Sequence, residues 1–97
     1  MSYTLHPGAS SDIREAGLYY RREGGHSLSE RFIDEFSRIA KLLSAEPGLG
    51  TPAGADRRWF PLRGFPYTVI YRPDGAGVRI LVLRHQQRDP QHGEHRR

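Results

Sequence analysis

Basic and imidazole side chains follow two apolar runs in the segment Gly64–Pro90. Arg72 follows the first run, and Arg84, His85 and Arg88 follow the second. Guanidinium groups bind phosphate and carboxylate groups in a bidentate manner, and imidazole can accept or release a proton near neutral pH. The cluster therefore has the chemistry to bind phosphate or to move protons, and we expect these groups to gather at neighbouring strand ends.

Two interpretations of His85 remain open. The imidazole could act as a general base, or His85 could be a half-buried histidine that hydrogen-bonds to Asp89 or to the backbone. We expect no metal site at His85, His92 or His95, because no thiolate accompanies them and the last two lie in a polar, solvated tail. No glycine-rich phosphate loop is present, and we predict no cofactor.

Positive charge is concentrated in the C-terminal part of the chain. Residues 1–56 carry six basic and eight acidic side chains, a net charge of −2, whereas residues 57–97 carry nine arginines and three acids, a net charge of +6. This asymmetry favours an anionic partner, although individual arginines could also belong to a solvated strand face. The candidate residues for binding a target or a nucleic acid are Arg57, Arg58, Arg63, Arg72, Arg84 and Arg88.

Apolar spacing predicts two helices near the N-terminus. Ala9, Ile13, Ala16 and Tyr20 recur at helical intervals, and the pair Gly24-Gly25 ends this stripe. A capping box at Ser27–Glu30 opens a second helix. Its stripe consists of Phe32, Phe36, Ile39 and Leu43, and Pro47-Gly48 ends it. The short connection predicts an antiparallel helical hairpin.

Strand patterns lie on both sides of these helices. We predict a short opening strand at Tyr3–His6 and later strands at Arg57–Leu62, Tyr67–Tyr71 and Val78–Leu83, the last two joined by the turn Pro73–Gly77. We interpret residues 46–56 as a crossing loop. The fold class is α+β, with the helical hairpin packed on one face of a three-stranded antiparallel meander.

The last strand, Val78–Leu83, is apolar at both alternating sets of positions, so both of its faces could be buried. In that case only strand ends and loops would present arginine. The nearby rings of Trp59, Phe60, Tyr67 and Tyr71 could stack on bases, but core packing is the better interpretation for most of them.

Ninety-seven residues accommodate one domain, which we place at residues 1–90, with a flexible polar tail at 91–97. The apolar content of 36% is low, which suggests that a partner covers part of the apolar surface. No cysteine is present, and no apolar run is long enough for a membrane span. We expect a cytoplasmic protein without membrane contact.

The order of these elements and several short motifs resemble the RelE/ParE superfamily of bacterial toxins from type II toxin–antitoxin systems, most closely its ParE-like branch. The resemblance spans nearly the whole chain. Its motifs are Pro7-x-Ala9-x-x-Asp12-Ile13, Tyr19-Tyr20, Arg31-Phe32, Leu43-x-x-x-Pro47-x-x-Gly50, Pro66–Arg72 and Ile80-Leu81-x-Leu83-x-His85-x-x-Arg88-Asp89-Pro90.

The resemblance implies a growth-inhibiting toxin that a cognate antitoxin neutralises. ParE-like members poison DNA gyrase and are not nucleases, whereas RelE-like members cut mRNA on the ribosome. The ending His85-x-x-Arg88-Asp89-Pro90 favours the gyrase poison, which acts by binding through its arginine-rich sheet and C-terminal segment. As a RelE-like nuclease, the chain would use His85, Arg84, Arg72 and Arg88 without a metal. An inactive member that only binds its antitoxin is a third possibility.

Overall fold

The computed structural model describes residues 2–97, which form an α+β fold with a five-stranded mixed sheet. Two strands flank the helical region closely: β1 (Tyr3–Leu5) precedes α1 (Pro7–Ala45), and the two-residue strand β2 (Thr51–Pro52) follows it. The remaining strands are β3 (Arg58–Pro61), β4 (Tyr67–Asp74) and β5 (Gly77–His85). Within this part of the chain, no helix is long and apolar enough to cross a membrane.

The helical region α1 is broken at Gly25, whose φ of 79° and ψ of −172° are not helical. A straight helix of 39 residues would measure about 58 Å, whereas the longest dimension of the molecule is 36 Å. The two arms therefore fold back on each other. The Ser29 hydroxyl donates a hydrogen bond to the Gly17 carbonyl at 3.1 Å, and the Tyr20 and Phe32 ring centroids lie 5.2 Å apart.

The side chains of the predicted capping box make other contacts. The helix already includes His26, and the Glu30 carboxylate lies 2.7 Å from His26 Nε2. The Glu30 side chain thus faces a neighbouring turn of the same arm, and Ser29 rather than Ser27 has a hydroxyl that joins the two arms.

The strand order is β1-β5-β4-β3-β2. Strands β2 to β5 form a continuous antiparallel meander, and β1 pairs with β5 in parallel, with Thr4 opposite Arg79. The sheet has two strands more than the predicted three-stranded meander, because β1 pairs with β5 and because the loop predicted at residues 46–56 contains β2. Its position is supported by Tyr71, whose hydroxyl accepts a hydrogen bond from Gly50 N at 2.9 Å and donates one to Pro47 O at 2.8 Å.

The main core lies between α1 and one face of the sheet, which we call the inner face. Both helical stripes contribute to it, and Tyr71 is fully buried among them. The buried sheet residues of this cluster are Val69, Tyr71, Val78, Ile80 and Leu83, and the buried helix residues are Ala9, Ala16, Phe32, Phe36, Ile39, Ala40 and Leu43. Phe60 and Tyr67 pack against its margin, which confirms core packing for most of the strand aromatics.

A second, smaller apolar cluster lies on the opposite, outer face of the sheet. Ile70, Leu81 and Val82 form it, and Leu81 and Val82 are completely buried. A bulge between Ile70 and Tyr71 places Ile70 opposite Val82 and Tyr71 opposite Ile80, so that Leu81 is the extra residue. Both faces of the last strand are therefore buried, a point that the sequence left open.

Candidate binding groove

A groove of about 940 Å³ runs along the outer face of the sheet. We call it the outer groove. Its base includes Trp59, Ile70 and Leu81, and Trp59 is 39% exposed. The arginines along it are Arg57, Arg72, Arg84, Arg88, Arg96 and Arg97, together with His85. An apolar base with guanidinium groups along its margin suits a partner that carries both apolar and anionic groups.

Arg84 is a partly desolvated arginine of the groove. It lies near the end of β5, where it pairs with Thr68 of β4. Its Nη2 donates a hydrogen bond to the His92 carbonyl at 3.0 Å. Burial lowers the pKa of the Arg84 guanidinium below its ordinary value, but arginine stays charged because that ordinary value is so high. Among the residues that the structure describes, Arg84 Nε is buried without a hydrogen-bond partner. A positive charge with an unused donor is therefore present at the centre of the groove.

His85 ends β5 at the margin of the same groove. Its Nδ1 accepts a hydrogen bond from Gln87 N at 3.1 Å, and its ring packs edge-on against Tyr67 with 5.1 Å between centroids. Of the two interpretations left open by the sequence, the backbone-bonded histidine matches this geometry. Nδ1 is engaged by the backbone, so proton transfer to a ligand would have to use Nε2.

Arg72 and Arg88 are cations of the groove that remain partly accessible to solvent. The side chain of Arg88 is 50% exposed and lies 4.0 Å from Glu15, while that of Arg72 is 27% exposed and lies 3.7 Å from Asp74. Such long, exposed ion pairs contribute little to stability. Both guanidinium groups can therefore exchange an internal carboxylate for a carboxylate or phosphate of a partner at small cost.

The remaining predicted arginines have different surroundings. Arg57 lines the groove, and its Nη2 donates to the Arg96 carbonyl. Arg58 does not line it, because its Nη1 donates to the Gly50 carbonyl at 2.7 Å and supports the chain before β2. Arg63 also lies outside the groove, and its backbone N–H donates to Glu35 at 2.6 Å. Together with Arg38, this N–H holds the pKa of the Glu35 carboxyl below its ordinary value.

Three residues near the groove were not predicted as a unit. Asp12 lies on the first arm of α1 and is largely buried. Its Oδ1 lies 3.0 Å from His92 Nε2, and its Oδ2 accepts hydrogen bonds from Arg96 Nη1 at 2.6 Å and from Leu83 N at 3.1 Å. The prediction of a merely solvated histidine is wrong for His92. Local sequence gives no signal for this cluster, because 80 or more residues separate Asp12 from both tail residues.

No group of histidine, cysteine or acidic residues suited to a metal ion occurs within residues 2–97. The chemistry that the outer groove offers rests on guanidinium groups, one imidazole and an apolar base. These groups bind anions and stack on planar groups, and they define a small basic α+β domain with an arginine-lined groove on the sheet face opposite its helices.

Comparison with known proteins identifies the family. A family model described as the ParE toxin of type II toxin–antitoxin systems, parDE, matches residues 3–90. This chain belongs to that ParE toxin family. A solved structure described as the chromosomal ParDE toxin–antitoxin system from P. aeruginosa has a similar fold, with a TM-score of 0.75 and 22% sequence identity over 88% of this chain and 95% of the other. No curated protein matches the chain.

Proposed function

We propose that this protein is a cytoplasmic bacterial toxin that inhibits growth by binding DNA gyrase and that its cognate antitoxin neutralises it. The observation that carries the proposal is the family match over residues 3–90, since a ParDE system implies an antitoxin partner. The gyrase target is an inference from the ParE family and from the arginine-lined outer groove, which offers charge and apolar surface for a binding poison.

The outer groove is the proposed contact surface for the target. Arg72 and Arg88 supply accessible charge, Arg84 supplies a desolvated charge with an unused donor, and the apolar base buries nonpolar surface. Electrostatic attraction accelerates the encounter, and contacts at the desolvated centre provide most of the affinity. The toxin acts in this scheme by stabilising the complex of gyrase with cleaved DNA, without breaking a bond itself.

The test compares two sets of arginines with purified gyrase. The double variant Arg72→Ala/Arg88→Ala removes the accessible charges of the groove, whereas Arg63→Ala removes a predicted binding residue that lies outside it. We expect the double variant to need about tenfold more protein to inhibit supercoiling or trap cleaved DNA, which corresponds to about 1.4 kcal/mol. Arg63→Ala should behave like the unchanged protein.

Three outcomes would contradict the proposal or part of it. Cleavage of mRNA that occurs only with ribosomes and is lost in His85→Ala would instead establish the RelE-like nuclease. Absence of both activities, with retained antitoxin binding, would establish an inactive member. Equal losses in the groove variant and in Arg63→Ala would exclude the outer groove as the contact surface.

A further inference from the structure

Residues 91–97 lie against the outer face of the sheet, where Glu94, Arg96 and Arg97 form part of the wall of the outer groove and Gly93 approaches Val82. Their backbone carbonyls accept hydrogen bonds from three arginines of the sheet and its margin: His92 O from Arg84 Nη2 at 3.0 Å, Arg97 O from Arg79 Nε at 3.1 Å, and Arg96 O from Arg57. The sequence predicts this segment to be flexible. That flexibility stays a prediction, and motion of the segment would have to break these contacts.

Side-chain contacts attach the same segment to α1 and β5. Arg96 Nη1 donates both to Asp12 Oδ2 at 2.6 Å and to the Leu81 carbonyl at 3.1 Å. The side chains of Arg96 and His92 are each only 18% exposed. β1 ends at Leu5, which pairs with Ile80, so Asp12 and Arg96 satisfy the backbone groups of β5 beyond the end of β1. These hydrogen bonds hold residues 91–97 in a defined position against α1 and β5.

Gly93 provides the closest approach to the sheet. Its φ is +77°, and a Cβ atom on it would lie 2.5 Å from Val82 Cγ2 and 3.0 Å from Val82 Cγ1. Val82 is completely buried although it lies on the outer face of the sheet. A glycine at this position therefore allows residues 91–97 to seal the apolar cluster beneath them.

The covering segment satisfies Arg84 only in part. It offers one carbonyl to Arg84 Nη2 and leaves Nε without a partner among the described residues. A carboxylate, sulfonate or phosphate oxygen pair could accept from both nitrogens, and such charge-assisted bonds are stronger than a bond to a neutral carbonyl. An anionic ligand would therefore bind Arg84 better than the protein's own tail does.

We propose that residues 91–97 form an autoinhibitory strap, attached to Asp12 through Arg96 and His92, that covers Val82, engages Arg84 beside the outer groove and must leave before an anionic, partly apolar partner can bind these residues. The open form exposes Ile70, Leu81 and Val82 and frees Arg84. The closed form protects this surface in the unbound protein.

The first test opens the strap by steric clash without changing charge. Gly93→Ala introduces a Cβ atom against Val82, whereas Gly64→Ala is the matched control, because Gly64 has a φ of +80° and no atom within 4 Å of the position that a Cβ would take. Methyl NMR signals are recorded with a soluble paramagnetic agent. We expect Val82 signals to broaden severalfold more in Gly93→Ala than in Gly64→Ala, while Val69 on the inner face stays protected in both.

The second test measures access to the groove with the dye anilinonaphthalene sulfonate, which combines an apolar body with one sulfonate. Arg96→Ala breaks the attachment to Asp12, and Arg22→Ala removes the same charge from an exposed position of α1 that does not line the groove. We expect dye affinity to rise about tenfold in Arg96→Ala, as for loss of a hydrogen bond between charged groups, and to stay unchanged in Arg22→Ala.

The outcomes that overturn the strap are equally definite. Val82 protection and dye affinity that are the same in each variant and its control would exclude it. If Gly93→Ala exposes Val69 as well, this variant disturbs the core and cannot test the strap. The comparison of Arg96→Ala with its control then decides, and protection of Val69 again shows that the core is intact. These readings require no gyrase, so they stand whether or not the proposed target is correct.

The consequence for toxicity rests on the proposed function. With gyrase, Gly93→Ala should inhibit supercoiling at a lower concentration than Gly64→Ala, because no binding energy is spent on displacing the strap. If the unchanged protein does not inhibit gyrase, the proposed target is excluded. The NMR and dye results would still decide whether the strap exists. An open strap without a gain on gyrase would show that the target binds elsewhere.

Discussion

At the scale of single residues, Tyr71 connects the core to the chain that precedes β3. Its ring is fully buried, and its hydroxyl bonds the backbone of both Gly50 and Pro47. Burial raises the pKa of this phenol above its ordinary value, so the hydroxyl keeps its proton and donates to Pro47 at neutral pH. The same hydroxyl thus serves as donor and acceptor for one short loop.

Removal of this hydroxyl should be costly although the ring remains. In Tyr71→Phe, the buried Gly50 N–H and the half-buried Pro47 carbonyl lose their partner, so we expect the free energy of unfolding to fall by about 1–3 kcal/mol. Urea denaturation measures the change. Tyr19→Phe is the control, because the Tyr19 side chain is largely exposed, and we expect a change below about 0.5 kcal/mol there. Equal changes in both variants would exclude the proposed role of the Tyr71 hydroxyl.

The residue types in the sequence predict part of the lining of the groove, but they do not predict that residues 91–97 lie against it. Arg57, Arg72, Arg84, His85 and Arg88 all line the groove, but not because strand ends meet. Arg72 pairs with Arg79 near the β4–β5 turn, whereas Arg84 pairs with Thr68 at the opposite end of the hairpin, so the expectation of neighbouring ends is wrong and the groove follows the two strands. Arg58 and Arg63 are directed elsewhere by hydrogen bonds that their own neighbourhood in the sequence does not reveal. Taken alone, the polar residues of the strap predict a solvated segment. The sequence does not show that side chains of the strap contact a residue near the other end of the chain.

At the scale of elements, the reversal of α1 depends on the backbone of Gly25. Its φ and ψ lie in a region that is available almost only to glycine, and no other atom lies within 4 Å of the position that a Cβ would take. A side chain at this position would therefore raise the conformational energy of the backbone but would not clash with the rest of the protein. The two arms can pack antiparallel only while this reversal is kept.

Gly25→Ala should lower the free energy of unfolding by about 1–3 kcal/mol, the range for a side chain in such a backbone region. Thermal and urea unfolding measure it. Gly48→Ala is the control, since Gly48 also has no atom within 4 Å but does not have a positive φ, and we expect it to change stability by no more than about 0.5 kcal/mol. A Gly25→Ala protein as stable as the control would mean that the arms can reverse by another route.

Periodicity predicts the long elements of this fold well. The helical stripes and the hairpin of β4 and β5 have strong local signals, and both stripes do face the core. The strand β2 has only two residues and includes Pro52, so its formation depends on pairing with β3 and on the bonds of Tyr71. The bulge at Ile70 likewise requires knowledge of register, which no local pattern supplies.

At the scale of the whole molecule, the separation of charge between the two parts of the chain makes partner binding dependent on salt. The nine arginines of residues 57–97 produce a net charge of +6 there, and the groove gathers several of them. Added salt screens exposed charges strongly and desolvated ones less. Attraction by Arg72 and Arg88 should therefore be more sensitive to salt than the contact at Arg84.

If the proposed target is correct, affinity for gyrase, measured by surface-based or calorimetric binding, should fall when salt is raised from about 0.05 to about 0.3 M, a range over which the screening length falls by more than half. The Arg72→Ala/Arg88→Ala variant should show a shallower dependence, because two exposed charges no longer contribute. Arg63→Ala should keep a dependence close to that of the unchanged protein. Identical dependence in all three proteins would assign the attraction to charges outside the groove.

The parallel pairing of β1 with β5 has a consequence for synthesis of the protein. Residues 3–5 complete their ladder only with residues 78–80, and β5 also contributes buried side chains to both faces of the sheet. A ribosome releases the chain from its N-terminus onward, so β5 emerges after every other strand. Strands β2, β3 and β4 can pair earlier, but the five-stranded sheet cannot be completed until β5 has emerged to join β1 to β4.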